Sequence, residues 1–405
     1  MSIRRLGFCL LFVLTFGSSH VRAQIAITGE VIYTMSSAPI QNGVVLVSGG
    51  KIERVGSQTE ISIPAHYKII RAKVVTPGLI DAHSVVGLAG IFNYNHDQDQ
   101  LEKSDPIQPE LRAVDAYNAN ERLVSFLRDF GITTLHTGHG TGALISGQTM
   151  IVKTHGSTVE QALVQPVSTV AFTLGATVRE NFQKPGTRSK GVAMLREKFI
   201  EAQEYAKKMK SKDPSKRPTR DLKLEVLADI LDKKIPALMT ANKATEITTA
   251  LRLQKEFGFR MILDGAAEAY LVLEELKAAN VPVILHPTMV RTYGDTRNAS
   301  FETAAKLKQA GIKFALQSGY EGYVPKTRVV LYEAALAVAN GLSFEDGLRA
   351  ITIDAADILG IATRVGSLEK GKDADIVCFD GDPFEYTSHV CEVIINGALV
   401  KEKCN

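Results

Sequence analysis

Eight short apolar runs, most followed by a helical pattern, leave this chain few architectures. They lie at 79–83, 132–136, 149–154, 168–174, 236–241, 260–264, 281–286 and 313–318, with clear helical patterns at 266–280, 301–310 and 327–339. Runs that are apolar throughout and separated by helices describe strands buried on both faces in βαβ units, hence a parallel sheet. Eight such units in about 285 residues predict an α/β fold, a (β/α)8 TIM barrel.

The two ends read differently. Asn42-Gly43, an apolar strand over 44–47, a Gly49-Gly50 turn and KIERV over 51–55 make a meander of small strands, and similar segments return at 374–379 and 391–400. Neither end has enough apolar surface to fold alone, so the two are expected to pair into a small β-sandwich domain. The predicted division is a leader at 1–23, the small β domain from 24–76 plus 362–405, and the barrel over 77–361.

The leader has Arg4 and Arg5 before an apolar run over 6–16, then Val21, Arg22 and Ala23, the parts of a secretory signal peptide. The run is far short of the ~20 residues a spanning helix needs, so an exported chain, periplasmic or extracellular, with no membrane partner after processing is expected. Cleavage takes Arg4, Arg5 and Arg22 from 47 basic residues, leaving 44 against 44 acidic ones. A neutral body gives no electrostatic reason to expect nucleic acid. The densest basic stretch, seven Lys or Arg over 207–220, includes Pro214 and Pro218 and reads as a solvated helix end running into a linker. Cys378, Cys391 and Cys404 remain, allowing at most one intramolecular disulfide. With Asn396-Gly397 as a two-residue turn, Cys391 faces Glu402 and Cys404 is badly placed.

Chemistry in such barrels sits at the carboxyl ends of the strands. The strand ends here offer His83 and Ser84, His136 to His139, Lys153 to His155, Thr240 to Asn242, Asp264, His286, and Gln317 to Tyr320. From these, His83, Asp264 and His286 are the catalytic candidates. His136, His139 and Lys153 are the candidates for holding a small-molecule ligand.

The segment VVTPGLIDAHSVVG (74–87) resembles the entry into the first barrel strand of the metal-dependent amidohydrolases, and GSLEKGKDADIVCFDGDPFEYTSHV (366–390) resembles that family's return into its small β domain. FGFRMILDGAAEAY (257–270) and VPVILHP (281–287) resemble the imidazolonepropionase-like branch. The resemblance implies hydrolysis of a carbon–nitrogen bond in a small cyclic or peptide-like molecule by one or two divalent metals. It also implies the usual ligands: a His-x-His pair on the first strand, histidines on the fifth and sixth, and an aspartate on the eighth.

Those positions depart from the pattern. His83 is followed by Ser84 and Val85, the fifth strand has Thr240 and Asn242, the sixth has Gly265 after Asp264, and Gly319 falls where the aspartate belongs. A complete zinc site is worth roughly 10–16 kcal/mol, and valine and glycine offer no donor atom. No metal is therefore expected in the usual arrangement. Three readings of the mouth stay open. One is a relocated zinc site using His83, His136 or His139, and His286, with Lys153 carbamylated. Another is metal-free hydrolysis with Asp264 as base and His83 or His286 as acid. The last is a non-catalytic ligand-binding barrel, a silent partner of a complete homologue or a homo-oligomer.

Other motifs carry less. The glycines over 138–154 lead into a strand, not into a helix that could hold a nucleotide phosphate. The acidic stretch with Asp97, Asp99 and Glu102 lacks the glycine of a calcium loop and reads as part of a lid over 90–110. No Gly-x-Ser-x-Gly elbow is present.

Overall fold

The computed structural model describes residues 24–92, 94–290, 292–320 and 328–404. The leader lies outside them. From the amino end, β1 (Ile25–Ile32), β2 (Ile40–Ser48), β3 (Lys51–Ser57) and β4 (Lys68–Pro77) are followed at once by β5 (Leu79–Ser84). Then come β6 (Ile132–Gly138), β7 (Ile145–Lys153), short β8 (Leu163–Gln165), β9 (Val170–Thr173), β10 (Ala237–Ala241), β11 (Met261–Gly265), β12 (Val283–Leu285) and β13 (Phe314–Leu316). The chain ends with β14 (Ile376–Phe379), β15 (Val390–Ile395) and β16 (Ala398–Lys401). Among the described residues no helix is long and apolar enough to cross a membrane.

All eight predicted barrel strands are present, in the order β5-β6-β7-β9-β10-β11-β12-β13, with β8 paired to β7 off this path. A parallel bridge between Ser84 and Gly319 brings the two ends together, so the sheet is nearly closed, as in a TIM barrel. One strand overturns the all-parallel expectation. β7 is antiparallel to both β6 and β9. Only residues 139–144 join β6 to β7, and they hold no helix. A parallel return needs a crossover of a dozen residues or more, whereas an antiparallel one needs only a short loop.

The terminal segments also meet, but not as the expected sandwich. All seven of their strands register in one sheet, ordered β16-β15-β14-β4-β1-β2-β3. Its two faces bury separate clusters, one around Ile27, Val45 and Ile376, the other around Val44, Leu46 and Tyr67. The cysteine expectation is corrected as well, because Cys391 and Cys404 form a disulfide. Ile395 pairs with Ala398 and Ile394 with Leu399, but Val393 pairs with Lys401. That bulge puts one extra residue into β16 and moves Cys404 one residue nearer to the position facing Cys391.

Period two along the barrel strands positions the mouth. Leu238, Ile262, Ile284 and Ala315 share one buried cluster inside the barrel. Two residues further along the same faces come Thr240, Asp264, His286 and Gln317, which reach the open end. The intervening Met239, Leu263, Leu285 and Leu316 pack outward on the helices. Among the described residues of 90–110 none lines the mouth cavity; the segment reaches the rim where Gln100 donates to the Tyr320 hydroxyl at 3.3 Å.

Candidate active site at the barrel mouth

The mouth encloses a cavity of 690 Å3 whose wall includes His83, Thr240, Asp264, His286, Gln317 and Arg328. Asp264 is the hub of this wall. Its Oδ1 accepts from His83 Nδ1 at 2.9 Å and from Gln317 Nε2 at 2.7 Å, and its Oδ2 accepts from the Thr240 hydroxyl at 2.6 Å. Thr240 and Asp264 are direct partners in the β10–β11 ladder, which brings hydroxyl and carboxylate together.

Burial would push the Asp264 carboxyl up, but the His83 charge and the three donors outweigh it and hold the group below the usual carboxylate range. Burial would likewise push His83 down. The adjacent Asp264, with help from Asp81, outweighs that and raises it. The two shifts agree in favouring an imidazolium–carboxylate pair. With Nδ1 committed to Asp264, the other ring nitrogen, Nε2, is buried and has no hydrogen-bond partner among the described residues. Behind the pair, the Asp81 carboxyl is pushed up to about 7, chiefly by burial, although it accepts from the Ser318 amide at 3.0 Å and from the Ser318 hydroxyl.

Of the residues singled out by sequence, the structure brings His83, Asp264 and His286 to this cavity and leaves three elsewhere. His136 is fully committed: Nδ1 donates to the Ala82 carbonyl at 2.6 Å and Nε2 accepts from the Thr149 hydroxyl at 2.6 Å. Its pKa is lowered to about 3, by burial and then by the neighbouring His83 charge, so it is a neutral structural imidazole. His139 is buried, with its ring against Gly147, and burial alone lowers it to about 4. Lys153 is the clearest correction. Because β7 runs backwards, its carboxyl end lies at the bottom of the barrel, where Lys153 meets Asp375, with Asp373 at 3.5 Å. It cannot line the mouth or bridge metals there.

Sequence reading named Thr240 and Gln317 only as strand-end residues, although both hold Asp264. The usable signal was their two-residue offset from the interior apolar positions.

The donor set does not fit the divalent metal of the family. Among the described residues, the one His, Cys, Asp or Glu group with ligand spacing is Asp380, Cys391 and Cys404, whose sulfurs are bonded to each other away from the mouth. At the mouth, Asp264 is engaged by three donors, and Val85, Gly265 and Gly319 have no donor atom. Restoring the aspartate at 319 is blocked locally. Gly319 has φ +67°, and a Cβ there would stand 2.7 Å from the His286 ring. Gly319→Asp is therefore expected to lose roughly 1–2 kcal/mol through the left-handed backbone alone. It should also gain no zinc affinity, as thermal melts with and without zinc would show.

Comparison with known proteins supplies the family. Residues 241–404 match the family model described as the Amidohydrolase family. An amidohydrolase from Thermotoga maritima MSB8 has the same fold, with a TM-score of 0.87 and 32% identity, over 94% of this chain and 100% of that one. An imidazolonepropionase from Alkaliphilus oremlandii is 23% identical over 90% of this chain and 92% of its own length. Amidohydrolase tasK from Hapsidospora irregularis is 25% identical over 93% of this chain, which spans only 42% of that longer protein. A barrel entered through PGLIDAH, a mouth at its strand ends and near-complete overlap with the Thermotoga and Alkaliphilus relatives lead to one conclusion: the chain is an imidazolonepropionase-like member of the amidohydrolase superfamily, and by homology a hydrolase.

Proposed function

We propose that the protein hydrolyses a carbon–nitrogen bond of a small polar molecule without a catalytic metal, using His83 held by Asp264 where relatives keep the ion. The observation that carries this reading is the His83–Asp264 hydrogen bond of 2.9 Å in the wall of the mouth cavity, with the other His83 nitrogen unpartnered. An imidazole fixed through Nδ1 can present Nε2–H to a substrate carbonyl oxygen as it gains charge, which is electrostatic stabilisation by a preorganised donor. Water adds to the acyl carbon, the carbon–nitrogen bond breaks, and the proton lost by water ends on the departing nitrogen. We assign that proton transfer to His286, an imidazole in the same cavity wall two strands round the barrel.

Thr240 and Gln317 position Asp264. Asp264 is given no base role in this reading, since both its oxygens accept hydrogen bonds and its pKa is held below the usual carboxylate range, which makes it a weaker base.

That last point favours a second reading, a barrel that binds its small molecule without turning it over, alone or beside a complete homologue. Metal content and turnover separate the possibilities. Protein grown with added zinc is expected to contain far less than one equivalent after desalting, and to cleave members of a panel of cyclic amides and dipeptides equally before and after chelation. One bound equivalent whose removal abolishes cleavage would refute the proposal. Saturable binding with no cleavage would select the second reading. Export belongs to the same proposal and is supported by the leader sequence and by the Cys391–Cys404 disulfide, a bond that persists in oxidising compartments.

A further inference from the structure

We propose that a second cavity, outside the barrel mouth and behind the helix Thr177–Asn181, binds an organic anion of the phosphate or carboxylate type. The cavity measures 450 Å3, within the range of small-molecule sites, and Arg179, Arg188, Arg196 and Arg252 all line it. Carboxylates answer only two of them: Glu246 stands 3.5 Å from Arg188, and Glu256 stands 2.8 Å from Arg196. Arg252 donates to the neutral Thr249 hydroxyl at 2.6 Å, and no ion pair among the described residues involves Arg179 or Arg252. Two positive charges thus face one hollow without compensation, in a chain whose processed form is expected to have none overall.

Guanidinium groups suit this task because their planar donor forks match the oxygens of phosphate and carboxylate. Part of the wall between them is apolar, with Leu144, Leu174 and Val178 buried there beside Thr187 and Thr245. Charge at the rim and hydrocarbon on the wall fit a ligand with an anionic head and an apolar body better than a bare inorganic ion. The site also shares a partition with the mouth. Gly175 borders both cavities, and the helix Thr177–Asn181 puts Val178 and Arg179 on this one but Thr177 and Glu180 on the mouth. A bound anion would therefore fix the helix that forms one side of the mouth, whether or not the mouth is catalytic.

The chain has no tryptophan, so Ser189→Trp on the exposed rim creates a single fluorescent reporter. Titration with phenyl phosphate is expected to change its emission to saturation, inorganic phosphate to act more weakly, and phenol not at all. Arg179→Ala with Arg252→Ala in the same background should raise the Kd at least about tenfold, some 1.4 kcal/mol. His83→Ala should leave that Kd unmoved. Calorimetry on the unmodified chain repeats the titration in case the reporter is blind to binding, and melting curves check that each variant is folded. Absence of saturable binding in both measurements, an equal response to phenol, an unchanged Kd without the two arginines, or a Kd that depends on His83 would each overturn the proposal.

Discussion

Truncating Lys153 to alanine is expected to destabilise the protein by about 3–5 kcal/mol while sparing the chemistry of whatever fraction stays folded. Lys153 is buried at the bottom of the barrel with Asp375, and Asp373 lies at 3.5 Å. The network reaches into the terminal sheet. Asp373 also takes Lys51 at 2.6 Å and Arg364 at 2.9 Å, and Asp375 Oδ1 accepts from the Asn396 amide at 2.9 Å. Removing the one buried cation leaves two buried carboxylates facing each other's field, the costliest way to break such a group. A fall in Tm of roughly 4–6 °C should follow.

The acid limb should respond too. Burial opposes ionisation of Asp373, but Lys51, Lys153 and Arg364 together hold its pKa below the ordinary value. A depressed carboxylate stabilises the fold above its unfolded pKa and loses that contribution as pH falls through the folded one. Without Lys153 the depression shrinks, so acid unfolding should begin at a higher pH. The same variant tests the role of Lys153. Loss of turnover with an unmoved Tm would show that Lys153 serves the chemistry and not the junction with the terminal sheet.

The reversed strand shows where sequence reading stops. Apolar runs bounded by turn residues locate strands because burial on both faces demands them, and all eight were legible. A run buried along its whole length reads the same in either direction, however, so direction must come from the connection. Between β6 and β7 there is only a glycine-rich loop with no helical pattern, which is the physical signal for a hairpin. Cys404 failed for a related reason, since a bulge shifts register by one residue and leaves no clear mark in composition. The departures from the ligand pattern at Val85, Gly265 and Gly319 were legible, because absence of a donor atom is a property of residue type. The support around Asp264 was less so: Thr240 and Gln317 matter through a shared carboxylate, and that requires knowing which strands are neighbours.

Replacing Asp264 with asparagine is expected to remove about two to three orders of magnitude from turnover, the range a preorganised donor to a developing oxyanion supplies. The substitution keeps size and leaves an oxygen for Thr240 or Gln317, but it takes away the charge that holds His83 protonated. Burial, already the largest influence on His83 and acting downward, would then prevail and leave the imidazole neutral near pH 7. Stability should change its pH dependence in a matching way. His83, raised in the folded state, contributes fully below its unfolded pKa and ceases to contribute as pH rises through its folded one. Asp264, depressed, contributes above its unfolded pKa and ceases as pH falls through its folded one. Together they stabilise the native state in the window between the depressed carboxylate and the raised imidazole, and Asp264→Asn should flatten stability across that window. Side-chain NMR of labelled histidine reads the cause directly. The His83 titration should move to lower pH in the variant while His136, whose ring centroid lies 5.6 Å from that of His83, stays neutral. An unshifted His83 titration would show that Asp264 does not hold its charge, and the case for an imidazolium in place of a metal would fall with it.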